Sequence, residues 1–81
     1  MFEIKENAKV GIVTGSASDK SIVDKVTSVL DEFGVVWEWN VLSAHRTPNK
    51  TAKYAKEAED RGVQVLIGIA GLAAALPGVL A

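Results

Sequence analysis

The chain has 81 residues, the length of one small domain, which excludes a two-domain enzyme. With 48% hydrophobic and 23% charged residues it is built to pack a core, and a net charge of -1 leaves no footprint for nucleic-acid backbone or an anionic membrane surface. It has no cysteine and one histidine, so disulfides, a thiolate nucleophile and a cysteine- or histidine-rich metal site are all excluded.

Residues 1–7 alternate charge with apolar side chains and lack the continuous apolar run of a secretory signal, so a cytoplasmic chain is expected. Residues 10–13 form a short β-branched run ending at Thr14-Gly15, the pattern of a strand buried on both faces. From Asp19, Ile22, Val26, Val29, Leu30 and Phe33 recur at helical spacing until Gly34 supplies a stop, which predicts an amphipathic helix with those residues inward. Val35, Trp37, Trp39 and Val41 then alternate with Val36, Glu38, Asn40 and Leu42, as in an edge strand with one less buried face. Thr47-Pro48 places a capping hydroxyl before a proline at the first helical position. The helix that follows, to Arg61, carries Ala52, Ala55 and Ala58 on one face, which predicts close packing. Residues 63–69 read as a third, central strand, and Gly71 onward as a loop leading through Pro77 into another helix.

Alternating strands and helices predict one α/β domain over residues 1–81, with a parallel sheet, right-handed crossovers and three layers. Residues 63–81 hold no charge and approach the length of a membrane span, but Gln64, the glycines and Pro77 within the run and the absence of basic flanks argue for a buried strand and no membrane anchor. In such sheets ligands collect beyond the carboxyl ends of the strands. Those ends hold Gly15-Ser16-Ala17-Ser18-Asp19, Ser43-Ala44-His45-Arg46-Thr47 and Gly68-Ile69-Ala70-Gly71.

Ser16 and Ser18 stand where a helix begins, and backbone N–H groups with the helix dipole favour a phosphate there. Either serine serves equally as a plain N-cap, with Asp19 as a first-turn acid. Asp19 would repel a phosphate, so its functional reading is as an acceptor for sugar hydroxyls. His45 alone titrates near neutrality and is suited to moving a proton, although a lone histidine also serves as an ordinary surface residue. Arg46 has the forked donors that fit phosphate or carboxylate, or makes a surface ion pair. Trp37 and Trp39 are read as core or interface residues.

The blocks Gly15-Ser16-Ala17-Ser18-Asp19, Phe33-Gly34-Val35, Ser43-Ala44-His45-Arg46-Thr47-Pro48, Ala70-Gly71 and Leu76-Pro77-Gly78 closely resemble, in residues and in spacing, the first half of the PurE family. These are the AIR carboxylases and N5-carboxyaminoimidazole ribonucleotide mutases of purine biosynthesis. The resemblance covers about Val10 to Ala81 and implies a flavodoxin-like sheet with strand two at its edge. It implies an isomerase that moves carboxylate from an exocyclic nitrogen to a ring carbon of aminoimidazole ribonucleotide without metal or organic cofactor, in an octamer with sites between subunits. Residue by residue, Ser16 and Asp19 match positions that bind the ribose phosphate end, with Ser18 in the same block. Arg46 matches the phosphate-binding arginine, Ser43 and Ala44 the segment lining the base, and His45 the general acid–base. Leu72 and Ala75 stand where the family usually has a glycine and a histidine, and the family's chains are about twice as long. A second expectation is a non-catalytic, self-associating fragment that keeps a nucleotide-phosphate pocket and associates through an unpaired third strand.

Overall fold

Residues 10–14 are fully enclosed, and they form the middle strand of the fold. The computed structural model describes residues 2–42 and 48–69, with the backbone alone at Ser18 and Pro48. In chain order the elements are β1 (Val10–Thr14), a 3-10 turn (Ala17–Asp19), α1 (Lys20–Glu32), β2 (Trp37–Val41), α2 (Pro48–Asp60) and β3 (Val65–Ile69). The strands make one parallel sheet in the order β2-β1-β3. The β1-to-β2 and β2-to-β3 crossovers run across the sheet in opposite directions, and with the same right hand this puts the two helices on opposite faces. Val10 and Ile12 accordingly pack with Val23 of α1, whereas Val13 packs with Tyr54 and Ala58 of α2 and with Leu42 and Val63. Ile12 and Val13 are wholly buried, each contributing about 1.5–3 kcal/mol on transfer from water. This is the expected truncated α/β, flavodoxin-like arrangement.

Both helices end on a glycine in the left-handed region, Gly34 at φ 70 and Gly62 at φ 93. Val35 N–H donates to Leu30 O and Val63 N–H to Ala58 O, closing the last turns with the long-range bond of a Schellman ending. The stops expected at these glycines are therefore real.

Four details differ from the expectation. In α1 the buried residues are Val23 and Thr27, flanked by half-buried Val26 and Leu30, while Ile22, Val29 and Phe33 are 47%, 52% and 76% exposed. Two apolar stripes share this helix, and the sheet takes the one centred on Val23. In α2 the buried set is Thr51, Tyr54 and Ala58, with Ala52 exposed. Close approach is made by Gly11 of β1 instead, where an added Cβ would lie 2.5 Å from Tyr54 Oη. In β2 the polar residues Glu38 and Asn40 form the buried face and the tryptophans are half-buried, because Tyr54 and Arg61 supply partners on the α2 side. Among the described strands β3 lies at an edge and β1 is central. The expected helix beyond Gly71 lies outside the described residues. Among the described residues no helix is long and apolar enough to cross a membrane.

Candidate functional site

The register brings the three strand ends to one level: Thr14 pairs with Val41 on one side and with Ile69 on the other. Leu42 N–H donates to Thr14 O at 2.8 Å, so β2 hands the chain on beside the start of the β1 loop. The chain re-enters the described structure at Pro48, the first residue of α2.

In the β1 loop Thr14 is buried, and its hydroxyl donates to Ser16 O at 3.0 Å while accepting from Trp39 Nε1 at 3.0 Å. Asp19 N–H also donates to Ser16 O, at 3.3 Å, which tightens the loop into the 3-10 turn before α1. Trp39 thus has a task the sequence did not suggest: it anchors the base of this loop. Ser16 is exposed and Asp19 half-buried. A Cβ at Gly15 would meet nothing within 4 Å, so open space adjoins the backbone there.

The N-cap of α1 is Asp19, not a serine, and its side chain makes no capping bond. The reading of Ser16 or Ser18 as the N-cap of this helix is thereby corrected, since the 3-10 turn carries the start of α1 past both. Of the expected site residues, Ser16 and Asp19 are brought together at the end of β1, and Ser18 lies between them in the turn. Ser43, Ala44, His45 and Arg46 lie outside the described residues, as do Leu72 and Ala75. Among the described residues no group of three or more acidic or histidine side chains could hold a metal ion.

The most charged buried cluster was not expected at all. Glu38, 1% exposed, accepts two bonds from the Arg61 guanidinium at 3.0 and 2.7 Å, one from Tyr54 Oη at 2.5 Å and one from Lys5 N–H at 3.2 Å. Burial pushes this carboxyl up, but the bonds from Arg61, Tyr54 and Lys5, with the Arg61 charge, outweigh it and hold the group below its usual range. Burial first, and then the bond to Glu38 and its negative charge, raise the Tyr54 phenol. The Glu38 bond likewise raises Arg61. Every acceptor direction of Glu38 is used, so the cluster is a brace between β2, α2 and the N-terminal segment. Its sequence signal was Tyr54, Ala58 and Arg61 at i, i+4 and i+7 on one helical face. It sits opposite Gly11, three rungs behind the strand ends.

Comparison with known proteins agrees with the resemblance drawn from the motifs. A family model described as AIR carboxylase matches residues 9–81. The N5-carboxyaminoimidazole ribonucleotide mutase of Pyrococcus horikoshii is 49% identical over 76 residues, which are 94% of this chain and 43% of that protein. The mutase of Thermotoga maritima is 48% identical over 90% of this chain and 43% of its own length. That of Vibrio cholerae is 51% identical over 89% and 45%. The chain thus spans less than half the length of these relatives, and within that span it belongs to the AIR carboxylase family.

Proposed function

We propose that this chain carries the ribonucleotide-binding and proton-transfer part of an N5-carboxyaminoimidazole ribonucleotide mutase, an isomerase of purine biosynthesis. The observation that supports this reading is the common level of the three strand ends, which sets the Ser16 loop beside Leu42, the last described residue before the stretch that holds His45 and Arg46 in the sequence. In this reading Ser16, Ser18 and the amino end of α1 receive the phosphate with Arg46, Asp19 accepts from the ribose, and Ser43 and Ala44 line the base. His45 protonates the exocyclic nitrogen as its bond to the carboxylate carbon breaks, releasing carbon dioxide. The ring carbon then bonds to that carbon dioxide, and His45 recovers the proton the ring carbon loses. Atoms balance without a redox partner, and the resemblance to the family implies no organic cofactor. We place the chain in the cytoplasm as a self-associating protein.

A second reading keeps the pocket without turnover. Leu72 and Ala75 favour it, because a leucine fills a loop where the family has glycine and an alanine side chain neither donates nor accepts.

The deciding experiment incubates the chain with N5-carboxyaminoimidazole ribonucleotide and measures the C-carboxylated isomer, beside calorimetric binding of aminoimidazole ribonucleotide. Loss of a general acid–base predicts that His45→Asn lowers turnover by about 10²–10⁴-fold while affinity stays within a few-fold. Unchanged turnover would remove His45 from the mechanism. Binding by a wild-type chain that never turns over would select the second reading.

A further inference from the structure

Trp39 reaches the β1 loop from a neighbouring strand. Parallel register pairs it with Ile12, so Thr14, the last residue of β1, is its diagonal neighbour on the same face, at a separation that an aromatic side chain spans. The indole packs with Val10, Ile12 and Val23 between the sheet and α1, and from there its Nε1 donates to the Thr14 hydroxyl at 3.0 Å.

The direction of every bond in this chain of contacts is fixed by chemistry. An indole nitrogen only donates and a carbonyl oxygen only accepts, and the Thr14 hydroxyl lies between one of each. Its lone pair must face Trp39 and its proton must go to Ser16 O. Thr14 is wholly buried, so this carbonyl is drawn toward the interior. Ser16 O takes a second bond from Asp19 N–H, at 3.3 Å, which occupies both of its acceptor directions. Among the described residues no peptide bond is cis, and a trans peptide points its N–H opposite to its carbonyl. Drawing Ser16 O onto the buried hydroxyl therefore turns Ala17 N–H the other way, on a stretch where Ser16 and Ala17 are both exposed.

We propose that Trp39 and Thr14 are positioning residues, which act through Ser16 O to hold the Ser16–Ala17 peptide with its N–H presented to the phosphate of the ribonucleotide. This rests on the phosphate-binding role proposed above for the Ser16 loop. A donor already held in its bound orientation contributes its full bond, whereas one that must be ordered on binding contributes less. Trp37 lies two residues earlier on the same face of β2 but donates to Asp31 of α1, at 2.7 Å, and so stands outside this relay.

Calorimetry on the whole chain tests the proposal with aminoimidazole ribonucleotide and with its nucleoside, which lacks the phosphate. Trp39→Phe keeps a ring and drops the N–H, and Thr14→Val keeps the shape and drops the hydroxyl. Each should weaken the ribonucleotide by about five- to tenfold, the order of one hydrogen bond, and leave nucleoside binding as it is in the wild type. The double variant should be no weaker than Thr14→Val, because the indole acts only through the hydroxyl. Thr14→Ser restores the hydroxyl and should bind within about twofold of wild type, as should Trp37→Phe, which leaves the relay intact. The Thr14→Val and Thr14→Ser pair decides alone if Trp39→Phe does not fold, and the two tryptophan variants decide alone if Thr14→Val does not. Ribonucleotide affinity unchanged in Trp39→Phe and Thr14→Val, or weakened together with that of the nucleoside, overturns the positioning role alone. A wild-type chain that does not bind the ribonucleotide overturns the ribonucleotide reading and this role with it.

Discussion

The strand ends and the α2 face three rungs behind them are both rich in polar side chains, but they use them differently. On the α2 face Glu38 is enclosed and its carboxylate meets four donors, so its charge holds β2, the end of α2 and Lys5 together. At the end of β1, Ser16 is exposed, Gly15 borders open space and Asp19 caps α1 without a side-chain bond. A saturated polar cluster stabilises a fold, whereas the backbone N–H groups of a helix start without a side-chain cap favour an anion. The contrast separates a brace from the proposed site although both contain ionisable groups.

The strongest way to break the contrast is to remove the carboxylate of the brace. Glu38→Ala leaves Arg61 and Tyr54 facing an uncompensated space and should cost about 3–5 kcal/mol of stability by denaturant titration. The pH dependence sharpens this. Because the folded Glu38 carboxyl is held low, its stabilisation is present above the usual 4.5 and is lost as pH falls through the depressed value. Because the Tyr54 phenol is held high, its stabilisation is present below the usual 10.0 and is lost as pH rises beyond it. Thermal melts across pH should show both limbs, with Glu38→Gln flattening the acid one and Tyr54→Phe the alkaline one.

At the strand ends the effect should appear in binding instead. Arg46→Ala should weaken aminoimidazole ribonucleotide by about 1.5–3 kcal/mol in calorimetry, the range for a hydrogen bond to a charged group, with an unchanged melting temperature. Gly11→Ala belongs to the brace side and should cost about 1–3 kcal/mol by overpacking against Tyr54, with nucleotide affinity unchanged once folded. Lys5→Ala should be the mildest, about 0.5–1 kcal/mol in the same denaturant titration, because Lys5, whose ammonium lies over Trp37, is an exposed residue.

Much of this division was legible before the coordinates. Strand and helix periods with Gly34 and Gly62 predict the element order, and the proposed site residues stand in short blocks that are local in the chain. The brace was hidden because Glu38 meets Tyr54 and Arg61 across 16 and 23 residues, and a carboxylate between two tryptophans looks like a solvent-facing position on an edge strand. The phase of α1 was misread for a related reason. Its two apolar stripes are equivalent as a pattern, and only the packing of Val23 with Val10 and Ile12 shows which one the sheet takes. Ala52, Ala55 and Ala58 suggested close packing, yet the close contact falls at Gly11, whose small size serves a tyrosine on another element.

The central claim is that the strand ends bind the ribonucleotide and the brace does not, and backbone amide shifts during titration with aminoimidazole ribonucleotide test it most directly. The largest saturable shifts should fall on residues 15–20 and 43–47, with Lys5, Glu38, Tyr54 and Arg61 unmoved. Saturable shifts centred on the brace, or none anywhere at millimolar ligand, would contradict it.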